Sequence, residues 1–394
     1  MKRTLSILLA LVLLASICVV YPAAAFADDP VTIEFLFGDP NRTELFSRIV
    51  DDFNASHTDI QVEFIPSGLN HLEQLRTRLA TNEVPDMTSQ LQGMELKSYV
   101  MAGHIMDIKD EPFMDYILPS ELETVTVDGG VYGIPMDTQA WGVFYNKDLF
   151  AQAGITEVPT TLTELEEDVE KLKAAGITPF AEGFSTEWTI GQFLGYACSS
   201  IITPAVTALG DDYKKGNFSF DLPGMDRALD ALDLIVQNCQ DRAQDTDVSG
   251  QYAVFAKGEA AMMPQGNWSI LQIRELNEDL NMGMFPLPVS DNAEDLRYPV
   301  QYGFVINILA KTEKMDAIRT FVDYFLNPES EANYYYDEIG IPTANGKANP
   351  KLDSASDILQ QYMQDGKTVF TYYSYEPAGF DAEAWVQCAV DLSA

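Results

Sequence analysis

Two strand-like runs, VTIEFLF at 31–37 and IQVEFI at 60–65, flank a segment in which Leu45, Ile49 and Phe53 recur every fourth residue. That spacing puts the three side chains on one helical face, and Asn41 with Glu44 three residues later reads as the helix cap. Strands separated by a whole helix pair in parallel through a right-handed crossover rather than as a hairpin. A parallel sheet is covered on both faces, so this one β-α-β unit commits the chain to an α/β architecture.

The pattern continues. Leu72, Leu75 and Leu79 mark a helix that ends near Pro85, and TVTV, Asp128-Gly129-Gly130 and VYGIP read as a hairpin. A second series follows: a strand WGVFYN at 141–146, a short helix from Asn146 to Ala153, and a helix through Ala175 opened by the capping pair Thr161 and Glu164. ITPFA resumes as strand, and helices are predicted near 188–200, 225–239 and 268–277. YGFVINIL at 302–309 reads as one strand, and 313–326 as a helix with Ala317, Phe321 and Phe325 on one face. With 394 residues and 46% hydrophobic content, the chain exceeds what one core serves. No Gly/Ser linker divides the two series, so the expectation is two α/β domains joined by structured, hinge-like segments.

Lys2 and Arg3, the apolar run Leu5 to Val20 and Ala25-Phe26-Ala27 have the form of an export signal over residues 1–27, with Asp28 as the first mature residue. Cys18 sits in a partial lipoprotein box, so cleavage after Ala27 and a lipid anchor at the outer face of the cytoplasmic membrane both stand open. The net charge of −36 repels phosphate backbones and anionic lipid, which argues against a nucleic-acid partner and for a neutral or cationic ligand. Cys198, Cys239 and Cys388 are too widely spaced for a disulfide framework; one Cys198–Cys239 bridge and three buried thiols both fit. His57, His71 and His104 are scattered, so no metal or cofactor is implied.

Six segments, taken together, resemble the extracellular solute-binding proteins of carbohydrate ABC transporters, the family that includes maltose-binding protein. They are Pro85-Asp86 with AGHIMDI at 102–108; GGVYGIPMDTQAWGVFYNKDLFAQAGI at 129–155; TLTELEEDVEKLKAAGITP at 161–179; FAKGEAAMMPQGNW at 255–268; GFVINILAKTEKMDAIRTFVDYFLNPES at 303–330; and GIPTANG at 340–346. The resemblance implies a type II, two-lobe periplasmic-binding-protein fold with ligand enclosed between hinged lobes. It places one lobe at 28–138 plus 303–342 and the other at 139–302 plus 343–394, with crossings near Asp137–Gly142, Pro299–Gly303 and Gly340–Asn349. It further implies a monomer that carries a carbohydrate to a membrane permease and does no chemistry.

A sugar has apolar CH faces and a rim of hydroxyls, so its site needs flat aromatic surfaces beside amide and carboxylate groups. By position in the family motifs, Trp268, Trp188 and Trp141 are the aromatic candidates, with packing in the core the other reading for each. Gln139 aligns with a cleft carboxylate of maltose-binding protein, and Asp137 flanks it. Gln90 stands where that protein has an aromatic residue. Asp39, Glu187, Asn267 and Tyr302 are further candidates, with Asn41, Gln265 and the tyrosines at 372, 373 and 375 behind them. Of the consecutive Tyr334, Tyr335 and Tyr336, at most one can face a cleft. Trp385 carries no motif. A secreted glycoside hydrolase would share the export signal and the acidity, although no carboxylate pair is nominated. A polyamine or other small-solute binder would share the two-lobe plan.

Overall fold

The computed structural model describes residues 30–209 and 221–371; the export signal, Cys18, Trp385, Cys388 and the tyrosines at 372, 373 and 375 lie outside the described residues. In chain order the strands are β1 (Val31–Phe37), β2 (Ile60–Pro66), β3 (Met87–Ser89), β4 (Thr126–Val127), β5 (Gly130–Val131), β6 (Ile134–Pro135) and β7 (Thr138–Asn146). β8 (Thr178–Phe180), β9 (Ala260–Gly266), β10 (Met282–Phe285), β11 (Tyr298–Tyr302), β12 (Val305–Ile308) and β13 (Thr368–Phe370) follow.

Two sheets of five and six strands organise the molecule. The first has the order β2-β1-β3-β12-β6, with β1 parallel to β2 over its whole length and to β3 at Phe35 and Leu36. This is the β-α-β unit read from the sequence. Its crossover helix, Thr43–Ser56, buries Leu45, Phe46, Ile49, Val50 and Phe53. Phe35 meets Phe37 edge to face at 5.5 Å, and Phe304 and Phe321 from distant segments join the same aromatic core. The cap differs from expectation. The Asp39 carboxylate accepts from the Asn41 amide and starts a 3-10 turn at Pro40–Arg42, and the α-helix then begins at Thr43 without a side-chain cap. Pro40 fixes the turn and Asp39 already holds the free amide, so Asn41 is left to the cleft side of the loop.

The second sheet runs β13-β11-β7-β9-β8, with β10 also pairing β7. Thr161 and Glu164 close the expected capping box on the helix Leu162–Ala174, whose Leu162, Leu165, Val169 and Leu172 are buried. Asp128 and Gly129, both at positive φ, make the tight turn between β4 and β5.

Three chain segments join the sheets. The chain leaves β6 for β7 through Met136 and Asp137, and returns from β11 to β12 through Gly303 and Phe304. The run 302–309 is therefore two strands in different sheets rather than one. Gly303 makes the break possible: a Cβ there would lie 1.9 Å from Asp137 Oδ1, so only glycine lets the two crossings touch. The third segment passes alongside, with Thr138 N donating to Pro342 O at 2.9 Å and Asp137 bridged to Thr343.

The cysteine alternatives resolve toward thiols. Cys198 and Cys239 are both free, and burial pushes their thiols up to about 12 and about 11.

Candidate functional site

A cleft of about 1000 Å³ opens between the two sheets, beside the crossings. The first-sheet side contributes short loops at strand ends, carrying Gly38, Asp39 and Asn41 after β1, Gly68 and His71 after β2, and Gln90 and Gln92 after β3. This is where ligands collect in parallel sheets, because the strand ends leave a crevice and free backbone groups. Gln90 sits at φ 70, a left-handed conformation unusual for a side chain of its size, held by Gln90 N donating to Val305 O at 2.8 Å. His71 is fully used: its ring nitrogens lie 2.7 Å from Ser67 Oγ and 2.9 Å from Ser89 O, and burial lowers its pKa.

The opposite wall is aromatic. Trp188, half-buried, lies on the short helix Glu187–Gln192. That helix passes into a π-helical turn at Phe193–Ala197, which the expected single helix over 188–200 does not include. The widened turn carries Tyr196 to the cleft, a use of π-turns that recurs at functional sites. Tyr196 stands between Trp141, with ring planes 25° apart, and Trp268, at 5.8 Å. The Trp268 indole lies directly on Gly266: a Cβ at 266 would meet ring atoms Cη2, Cζ2 and Cζ3 within 2.2 Å. A tryptophan can therefore occupy this loop because the residue two before it has no side chain.

Amides dominate the polar groups. Gln139 and Gln301 face each other at 3.0 Å on neighbouring strands, Gln192 accepts from Trp141 Nε1 at 2.9 Å, and Gln92 reaches Gly303 O. Gln272 crosses the gap, donating to Asn41 O at 3.0 Å, while its buried Oε1 lacks a partner among the described residues. Behind the first wall lies a buried charge cluster. Arg42 ion-pairs with Asp39 and, at 3.0 Å, with Asp137. Burial acts to lower the Arg42 pKa, but Asp137 and Asp39 outweigh it and raise it, so the guanidinium stays charged.

The family model described as bacterial extracellular solute-binding protein matches residues 39–332, most of the chain. The chain belongs to that family. Among relatives of this solute-binding protein, the multiple sugar-binding protein of Streptococcus mutans is 26% identical over 341 residues, covering 84% of this chain and 79% of that one. The maltotriose-binding protein of Pyrococcus abyssi is 25% identical over 305 residues, covering 74% and 61%. Of solved structures, the solute-binding protein RafE in complex with raffinose superposes with a TM-score of 0.77 at 24% identity, covering 92% of this chain and 98% of that one. The type II, two-lobe fold is thereby shared.

In this solute-binding protein the sequence candidates separate into two groups. Trp268, Trp188, Gln139, Gln90 and Asp39 line the cleft, as does Asn41. Trp141, Asp137 and Asn267 do not; each is about 1% exposed and engaged elsewhere. Trp141 lies beneath Tyr196, and Asp137 ties the crossings together by accepting from Phe304 N at 3.3 Å and Tyr335 Oη at 3.3 Å. Asn267 clamps β7, accepting from Ala140 N and donating to Thr138 O. Gln265 is likewise buried, donating to Gln251. Tyr302 pairs with Thr138 at the end of β11 and Glu187 opens its helix; their side chains lie outside the described residues. Tyr335 and Tyr336 are core residues. Sequence reasoning missed Tyr196, Tyr252, Asp247, Gln272 and Glu275. The signal for Gln272 and Glu275 was present, since they follow Trp268 at helical spacing on Ile270–Leu276.

Proposed function

We propose that this protein is the extracellular substrate-binding component of an ABC sugar importer. It encloses a mono- or oligosaccharide between its lobes, 28–138 with 303–342 and 139–302 with 343–394, and delivers it unchanged to membrane permease subunits. The observation that carries this reading is the cleft itself: Trp188, Tyr196 and Trp268 on one wall, with six glutamines around them. Flat rings cover the CH faces of a sugar, and amides both donate to and accept from its hydroxyls. The sugar-binding names of the relatives point the same way. Closure acts as a switch only if the sugar binds the closed state better; reversing a 1:99 population takes about 5.5 kcal/mol, which several hydrogen bonds and a stacked ring can supply. The protein acts as an exported monomer, held at the outer face of the membrane if Cys18 is lipidated.

A thermal-shift screen of the purified protein against mono- to tetrasaccharides and polyamines tests this, with the mixture analysed afterwards. The expected result is an upward shift with a sugar that is recovered intact. Cleavage of the sugar, or a shift with polyamines alone, would refute the reading.

A further inference from the structure

The cleft carries an imbalance of charge that its role as a sugar site does not require. Its lining includes the carboxylates of Asp39, Asp247 and Glu275, and none of the described lining residues is Lys or Arg. The nearest buried cation, Arg42, is committed to Asp39 and Asp137. His71 has both ring nitrogens in use, and burial lowers its pKa.

The two remaining carboxylates differ from Asp39. Asp247 is exposed and spends Oδ1 on the Gly250 amide as a helix cap. Glu275 is exposed on the helix that follows Trp268; partial burial and then Glu44 raise its pKa, while Arg48, which acts to lower it, is itself bonded to Glu338. Tyr252 lines the same cleft, is 5% exposed and has a hydroxyl with no partner among the described residues. An unfilled polar atom in a nearly buried wall is what a ligand group is needed to satisfy. Asp247 and Glu275 are exposed side chains that line the same cleft as this hydroxyl.

We propose, building on the sugar-binding reading, that Asp247 and Glu275 make the cleft select ligands by charge, favouring amine-bearing and neutral sugars and turning away acidic ones. A uronate, sulfate or phosphate entering the cleft meets the carboxylates of Asp247 and Glu275, with no Lys or Arg among the described lining residues. Like charges brought together in a partly dry gap disfavour the complex, and opposite charges favour it. Specificity here rests on a repulsive element as much as on fitted contacts.

The test uses the sugar giving the largest shift in the screen, in two altered forms: primary alcohols oxidised to carboxylates, and primary alcohols replaced by amines. Calorimetry at pH 8 and low salt gives the affinity ratio of aminated to oxidised sugar for the wild type and for Asp247→Asn/Glu275→Gln. Asparagine retains the cap and position 275 is exposed, so the variant should melt with the wild type. The expected wild-type ratio is about tenfold or more, falling at least threefold in the variant. A smaller wild-type ratio, including the case in which neither altered sugar binds, overturns the proposal, as does a smaller fall in the variant. If no unmodified sugar binds at all, it is the sugar-binding reading that fails.

Discussion

The Arg42 guanidinium lies 3.0 Å from a carboxylate oxygen of Asp137, across 95 residues of sequence, with both side chains about 1% exposed. Arg42 also holds Asp39 on the cleft wall, so one buried cation ties the ligand-facing loop to the point where the crossings meet. Arg42→Met would leave both carboxylates buried without a counter-ion. Removing one partner of a buried pair costs about 3–5 kcal/mol, and urea unfolding should show a loss of that size. Arg42→Met/Asp137→Asn should recover part of it, because the charge at 137 is then gone.

Trp268 and Trp188 should respond differently to truncation. Trp268 is only 8% exposed and packs on Gly266 and Tyr196, so Trp268→Ala should both abolish sugar binding and lower unliganded stability by about 3–5 kcal/mol. Trp188 is half-buried on the cleft wall. Trp188→Ala should leave the unliganded melting temperature within a few degrees of wild type and weaken sugar binding at least tenfold, or about 1.4 kcal/mol, measured by calorimetry.

The β-α-β unit, the capping box at Thr161 and the hairpin at Asp128-Gly129 were legible because each is written in local spacing or turn chemistry. The cleft was legible only in part. Motif position brought Trp188, Trp268, Gln139 and Gln90 to it, but could not separate Asp137 from Asp39, since both are acidic and near turns. What places Asp137 inside is Arg42, which reaches it from the 3-10 turn before the crossover helix, a long-range contact with no trace in local sequence. Tyr196 was hidden for another reason: the π-turn that rotates it toward the cleft breaks the 3.6-residue period by which a helix face is read. The division of 302–309 between two sheets was hidden because apolar content continues across Gly303.

Gly266 sets the height of the aromatic wall. A methyl group there overlaps three atoms of the Trp268 ring, and a ring between strand and cleft yields more easily than the backbone of β9. Gly266→Ala should therefore push the indole into the gap, with a loss of about 1–3 kcal/mol in stability typical of overpacking. Sugar affinity should fall while the tryptophan emission shifts to the red in the unliganded protein, a change that a purely global loss of stability would not give at temperatures well below the transition.

Glu182 makes stability depend on pH. Its carboxyl is buried with no cation beside it among the described residues; Gln251 donates to it at 3.2 Å, and burial raises its pKa well above the ordinary 4.5 although the Gly183 amide opposes the shift. A folded-state pKa above the unfolded value means that the folded protein binds the proton more tightly, so this group's contribution is fully present below about pH 4.5 and is lost as pH rises toward the raised value. Glu182→Gln keeps the shape and remains uncharged at every pH. In urea unfolding it should match wild type near pH 4.5 and exceed it increasingly toward pH 8, and a stability difference that is flat across that range would mean that Glu182 ionises in the folded protein as it does in the unfolded chain.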